Sequence, residues 1–522
     1  MVTQWPVLGL PQQWQLPATV LLGMLHVLSI LFLASKWRST SRKDQIHLPP
    51  SPPGLPILGN LHQMGALPHR SLRDLAQQHG QVMLLQLGRV PTVVVSSAEA
   101  AREVMQTHDA DCCSRPDTAG PRRLSYDHKD VAFSPYSKQW RERRKLLVVE
   151  FLSMRRVQDA WYARAAEVDK LIDRLTVRGQ KPVVLEDHIF RYMDGIVGTV
   201  AFGNIYGTEQ FGHKKQFHDI IDEAMIARSS FCAEDYFPNT LGRLVDRLTG
   251  VLSRREHVFR EFDAFFEKII KQHLESTHTK TINNGGDLVD VLIGLMKEHQ
   301  GSSSFSFSRD HIKALLTNTF IGAIDTCSVT IVWAMAELIR KPWVLKKVQD
   351  EIRTIVGNKE RVHPNDLPNF KYLKTVVMET LRLHPALPLL VPRETLRQIK
   401  ISGYDVPAKT RLFVNTWAIG RDPTIWDNPE DFDPDRFEGK DVSFNGTHFD
   451  FVPFGAGRRM CPGMAMGVAT TEFTLANLLH CFNWRLPDGV SSEDIDMEEA
   501  GGLTVHKKMP LVLVPTRCDG QC

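Results

Sequence analysis

Along most of the chain, apolar residues recur at helical spacing rather than in strand-like alternation. Helical patterns cover Tyr162 to Leu175, His188 to Phe202, Lys215 to Ala227, Arg254 to Leu274, Asp287 to Glu298 and Asp310 to Arg340. The last is the longest apolar helix of the body, and Met464 to Leu479 repeats the spacing near the C-terminus. Strand patterns are short. Val82 to Leu87 and Thr92 to Ser96 are separated by a turn at Gly88 to Pro91, and Ser97 then opens a helix. Short strands mixed with turns follow Val391, while Ser276 to Gly286 and Gly301 to Ser308 are polar loops. The pattern predicts a mainly α protein with small β-sheets.

One apolar run has a different character. Leu16 to Ser35 is nearly all apolar, and about twenty such residues span a bilayer. No charged side chain precedes it, whereas Lys36, Arg38, Arg42 and Lys43 follow. Positive charge stays cytosolic, which places residues 1–15 in the lumen and the body in the cytosol. A cleaved secretory signal is the alternative, but it carries its basic residues before the apolar run. Five prolines lie between Pro49 and Pro56, making residues 36–57 a basic and proline-rich linker to the body at 58–522. A length of 522 residues suggests about three domains. No internal repeat or inner linker divides the body, so it reads as one large domain.

Composition narrows the function. The chain is 43% hydrophobic and 24% charged, as in ordinary globular proteins. Its 63 basic and 60 acidic residues leave a net charge of +3, which argues against nucleic-acid binding. The eight cysteines include no C-x-x-C pair, and Cys112 and Cys113 are adjacent, which fits a reducing compartment.

Candidate chemistry concentrates in Phe454-Gly455-Ala456-Gly457-Arg458-Arg459-Met460-Cys461-Pro462-Gly463. Gly455 and Gly457 give a tight turn that something large can approach. Pro462 suits a first helical position, so Cys461 is expected at a helix N-terminus, where the dipole favours a thiolate. Beside Arg459, such a thiolate suits a soft metal with an anionic partner. Upstream, Trp140 and Arg144 share a helix face and can bind an acidic group, while Arg141, Arg143 and Lys145 read as a cationic surface. Asp325 and Thr326 lie in the middle of the longest apolar helix, where a polar pair needs bonded partners. Thr326 either bonds the Gly322 carbonyl or serves a bound ligand. Glu379 and Arg382 share another helix face, and Arg436 follows in Pro434-Asp435-Arg436-Phe437.

The spacing Phe-x-x-Gly-x-Arg-x-Cys-x-Gly resembles the heme-binding signature of the cytochrome P-450 family. Trp-x-x-x-Arg, Asp-Thr, Glu-x-x-Arg and Pro-Asp-Arg-Phe precede it in the family's order. The resemblance implies the cytochrome P-450 fold behind one N-terminal transmembrane helix. It implies heme b with Cys461 as the axial thiolate and metal ligand, within a cofactor site of Trp140, Arg144, Arg393, Phe454, Arg459, Cys461 and Gly463. Trp140, Arg144, Arg393 and Arg459 are the expected propionate set. Asp325 and Thr326 would be the catalytic proton-delivery pair, although Ala323 and Cys327 depart from the family's usual Gly and Thr or Ser. Glu379, Arg382 and Arg436 would be structural.

The same resemblance implies dioxygen activation with electrons from NADPH through a cytochrome P-450 reductase. The implied setting is the endoplasmic reticulum membrane, single-pass with a cytosolic catalytic domain, near other enzymes of one pathway. The likeness is greatest to plant microsomal members that take an aldoxime of the 4-hydroxyphenylacetaldehyde oxime type, via a nitrile, to an α-hydroxynitrile in cyanogenic glucoside formation. Asp111 to Pro116, Arg123 to Asp127, Thr199 to Tyr206 and Phe320 to Thr326 carry it. A hydroxylase of another small hydrophobic plant metabolite (terpenoid, alkaloid or indole) is the alternative. A rearrangement enzyme or a non-catalytic heme protein fits less well, because Asp325 and Thr326 are both present. The family's pocket maps to Arg123, Leu124, Phe231, Ala233, Ala323, Leu389, Leu390 and Leu503.

Overall fold

In the computed structural model, residues 46–203, 206, 232–275, 286–298 and 307–518 are described. The apolar run Leu16 to Ser35, the helical pattern Lys215 to Ala227, Phe231 and most of the two polar loops lie outside them. The chain divides into Met1–Leu48 and one compact unit, Pro49–Cys522. The prolines belong to that unit: Leu84 N donates to the Pro50 carbonyl, and Asn60 Nδ2 to that of Pro52.

Strands β1 (Val82–Leu87) and β2 (Val90–Val95) pair antiparallel, with Leu87 opposite Val90. Helix α1 (Lys138–Leu147) is capped by Ser137, whose side chain accepts from Trp140 N. Helices α2 (Trp161–Arg178), α3 (Leu185–Phe202) and α4 (Val251–Glu275) follow. They precede α5 (Arg309–Arg340), opened by a capping box between Ser308 and His311 and ended just before Pro342. Beyond it come α6 (Lys371–Leu383), β3 (Arg393–Glu394), β4 (Arg411–Val414), α7 (Met464–Cys481), β5 (Phe482–Arg485) and β6 (Val512–Arg517).

The larger sheet runs β1-β2-β4-β3, with β2 and β4 parallel and the other pairs antiparallel. Because β2 has partners on both sides, Val93, Val94 and Val95 are all buried. A three-stranded sheet joins Val183–Val184, β6 and β5.

Helix α5 is the axis of the core, packed by α3, α4, α6 and α7. It is apolar on nearly every side, as an interior helix must be. Phe320 stacks on Phe202 of α3 at 5.0 Å and meets Phe266 of α4 at 6.4 Å. Burial of each such ring contributes about 1.5–3 kcal/mol. Among the described residues α5 is also the one helix long and apolar enough to cross a membrane, but its apolar window is 78% buried in protein.

Candidate active site

Between Ile312 and Ile339 every α5 residue is buried except Asn318, Thr319, Gly322, Ala323 and Thr326. Those positions follow i, i+1, i+4, i+5 and i+8, which is a single helix face. A Cβ built on Gly322 would meet nothing within 4 Å. Small and polar residues on one stripe of a core helix therefore front open interior space.

Thr326 donates its hydroxyl to the Gly322 carbonyl at 2.7 Å, the back-bond that a mid-helix threonine makes. Its neighbour Asp325 is buried and turns elsewhere: the carboxylate accepts from the Thr504 hydroxyl and lies 3.1 Å from His506 Nε2. The two residues expected to act as a pair thus have separate partners.

The cysteine loop is a second opening. Gly455 and Gly457 both have φ of +67°, and a Cβ on Gly457 would fall 2.4 Å from the Met105 carbonyl and 2.5 Å from Asp109 Oδ1. Only glycine permits that approach. Cys461 N donates to the Phe454 carbonyl at 2.9 Å. The following helix starts at Met464 with Gly463 as its cap, two residues beyond the start that Pro462 suggests. Cys461 is the one exposed free cysteine among the described residues, yet burial pushes its thiol up, opposed by the Gly463 amide and Arg144. A group both accessible and desolvated faces an interior void. Gly463 borders open space too, and Cys461 is close enough to Cys327 on α5 to act on its charge. Phe454 packs edge-on against Phe444 at 5.5 Å.

Four arginines crowd this region. Arg144 donates to the Met460 carbonyl at 2.5 Å. Arg459 donates to the carbonyls of Cys113, Val131 and Ser134, and stacks 3.9 Å from the Trp140 ring centroid. Arg393 bonds Asp109 at 2.9 Å and the Ala456 carbonyl. Arg115, given no role from the sequence, donates to the carbonyls of Ala132, Val391 and Pro392. Trp140 spends its indole N–H on the Val131 carbonyl at 2.9 Å. Among the described residues, Arg115, Arg144 and Arg459 find only backbone carbonyls as hydrogen-bond acceptors. Burial pushes Arg459 down to about 9, with Arg393 and Arg144 adding to the effect, and drives Arg115 well below its ordinary value. A buried cationic cluster short of carboxylates suits an anion with several oxygens. Beside a desolvated thiol and an open void, this donor set fits a heme with its two carboxylates. Arg143, expected on the surface, is buried and donates to the His128 carbonyl and Ser134 Oγ.

Glu379, Arg382 and Arg436 meet away from the void. Arg382 grips Glu379 through two bonds of 2.7 Å, and Arg436 Nε reaches the same carboxylate at 3.0 Å. The Glu379 and Arg382 side chains are 0% exposed. Arg382 also donates to the carbonyls of Gly420, Pro429 and Asp431, and Arg436 to that of Asp427. The cluster ties α6 to the segment leading into the cysteine loop.

A cavity of about 280 Å³ borders the α5 stripe at Asn318 and is lined in part by Leu124, Leu503, Phe133, Val391 and Asp235. Leu124 and Leu503, two of the residues expected to face substrate, are on its wall. Arg123 pairs with Glu256 at 2.8 Å and lies 3.4 Å from the Phe259 ring centroid, outside the cavity wall. Ala233 is buried and donates its N–H to Asp246 at 2.7 Å. Ala323 lies on the open stripe of α5. Leu389 packs on the β1–β2 side of the core, and Leu390, with φ of +53°, borders Gly455.

The sequence reading gave no role to Asp109, Arg115, Thr504 or His506. Asp109 lies two residues before Asp111, which opens the Asp-Cys-Cys-Ser-Arg run. Nothing local marks Thr504 or His506, which lie far from Asp325 in sequence.

A thiol facing an interior void beneath a helix stripe, with buried cations beside it, defines a heme-thiolate site on an α-helical scaffold. The chain belongs to the cytochrome P450 family, whose model matches residues 49–514. It is 57% identical over 516 residues to 4-hydroxyphenylacetaldehyde oxime monooxygenase of Sorghum bicolor, covering 98% of this chain and 96% of that one. It is 46% identical over 511 residues to 2-methylbutanal oxime monooxygenase of Manihot esculenta, covering 98% of each. Its fold superposes on a zebra fish cytochrome P450 solved with progesterone at a TM-score of 0.74 and 25% identity, covering 86% of this chain and 99% of that one. The protein is a cytochrome P450 monooxygenase, an oxidoreductase of the heme-thiolate type.

Proposed function

We propose that the protein converts an aldoxime of the 4-hydroxyphenylacetaldehyde oxime type, through a nitrile, to an α-hydroxynitrile, as a step of cyanogenic glucoside formation. The observation that carries the reading is the match over nearly the full length to two oxime monooxygenases whose named substrates differ in side chain. Ala323, a departure from the broad family, stands on the open α5 stripe, where its methyl narrows the space beside Thr326.

Cys461 would hold the heme iron as its thiolate ligand, and Arg115, Arg144, Arg393 and Arg459 would hold its carboxylates. When bound, the heme would supply Lewis-acid and dioxygen-activating chemistry, with electrons from NADPH through a reductase. The chain's own part is placement and protons. Leu124 and Leu503 line the substrate cavity and exclude water. Thr326 presents its hydroxyl at the void face, and Asp325, next to it in the chain, is the acid of the pair. Dehydration needs a proton on the departing hydroxyl and loss of the aldoxime C–H, releasing one water. Hydroxylation then places one oxygen atom on the carbon next to the nitrile.

Residues 16–35 anchor the protein in the endoplasmic reticulum membrane, with the catalytic unit cytosolic. Exposed Leu241, Leu244, Val245 and Leu248 on the helix Thr240–Leu248 support a membrane-facing surface. The reading is tested by incubating microsomes that carry the protein and a reductase with a panel of aryl and aliphatic aldoximes, then analysing products by mass spectrometry. Nitrile followed by α-hydroxynitrile is expected. Release of hydroxylated products from other plant metabolites, with every oxime untouched, would overturn the substrate assignment.

A further inference from the structure

As the acid of the pair proposed above, Asp325 needs a source of protons, and its polar partners Thr504 and His506 lead toward the C-terminal segment. It lies against a small polar chamber between α3, α5 and the C-terminal strands. His506 Nε2 is 3.1 Å from Asp325 Oδ1 and 3.1 Å from the Thr504 hydroxyl, which itself donates to the other carboxylate oxygen. The imidazole stacks on Phe190 at 6.0 Å with planes 9° apart, which fixes its orientation. Behind the ring is a cavity of about 70 Å³ lined by Glu186, Phe190, Val329, Val332, His506, Lys507 and Pro510. That is room for about two waters. Glu186 Oε1 accepts from Leu511 N at 2.8 Å, but its Oε2 is buried with no partner among the described residues. An orphaned carboxylate oxygen on a water-sized cavity is a site for ordered water.

We propose that His506 reloads Asp325 with protons, and that the cavity walled by Glu186 is where those protons enter the protein. Cavity water hands a proton to the imidazole, forming the imidazolium. Release of the Nε2 proton to the Asp325 carboxylate returns the ring to its neutral form and leaves a carboxylic acid one residue from Thr326. No electron moves, and the cavity water takes its replacement proton from solvent. His506 does not touch the reacting atoms; it acts through Asp325.

The titratable groups facing the ring are Asp325 from α5, Glu186 from α3 and Lys507 from its own strand. Glu337 and Arg340, further along α5, act on Lys507. Burial works against the charged ring, but the bond and charge of Asp325, with Glu186, outweigh it and raise His506 above the ordinary imidazole value. The imidazolium therefore persists to higher pH than in a free histidine, and proton supply fails as pH rises through that raised value.

The test compares the full-length enzyme with His506→Gln and Glu186→Gln, reading product formed per NADPH consumed across pH. The wild type should lose coupling with rising pH, while His506→Gln should be low and flat, about five- to ten-fold below the wild type at neutral pH. Glu186→Gln should fall between the two. A His506→Gln profile matching the wild type would overturn the proposal. A second readout needs no turnover. The imidazole NMR signal of His506 in the resting protein should titrate above the ordinary range, and Asp325→Asn should bring it down. An unmoved titration would sever the pairing, and this arm decides the question if His506→Gln does not fold.

Discussion

The void has two walls, and they are built differently. The cysteine wall is a short loop whose shape is dictated by two positive-φ glycines and secured from below by Glu379, Arg382 and Arg436. The α5 wall is a continuous helix whose backbone needs no special conformation; its character comes from which side chains are small. The first wall is held in shape by hydrogen bonds from its arginines to backbone carbonyls. The second is open because Gly322, Ala323 and Thr326 leave space unfilled. A site that must hold a cofactor in one place while admitting varied substrates needs one wall of each kind.

That contrast is sharpened first by breaking the rigid side. Glu379→Ala leaves two buried guanidinium groups facing an empty site and should cost about 3–5 kcal/mol, seen as loss of folded protein in chemical denaturation. On the open side, the effect should fall on chemistry instead. Thr326→Ala removes the hydroxyl at the void without emptying the core; product per NADPH should drop about ten-fold while the melting temperature holds. In the cavity at Asn318, Leu503→Trp should weaken binding of an aryl aldoxime about ten-fold in a spectral titration, by overpacking a wall of limited volume. The smallest effect belongs to Arg123. Its pair with Glu256 is substantially exposed, so Arg123→Ala should change stability by no more than about 1 kcal/mol and leave oxime binding unchanged.

The same contrast explains what could be read in advance. The turn of the cysteine wall was legible because loop chemistry is local: two glycines and a proline within ten residues announce it. Helix α5 was legible from its apolar length, and its open face could have been found from Asn318, Thr319, Gly322, Ala323 and Thr326 recurring on one side. What the chain order hides are the partners. Asp325 and Thr326 adjoin in sequence, but a helix turns neighbours about 100° apart, so one meets Thr504 and His506 while the other meets the void. Trp140 shares a face with Arg144, yet its N–H is taken by the Val131 carbonyl, a backbone group that no side-chain pattern reveals. Arg143 looked like surface charge because it stands among cations; burial against His128 and Ser134 depends on a loop folded over it.

The central claim is that the rigid wall exists to present Cys461 to a metal. The measurement closest to it is the reduced carbon monoxide spectrum of Cys461→Ser beside that of Cys327→Ser, the nearby cysteine on the other wall. Cys461→Ser should lose the red-shifted Soret band of thiolate ligation, and Cys327→Ser should keep it. A retained band in Cys461→Ser would show that another residue ligates the iron.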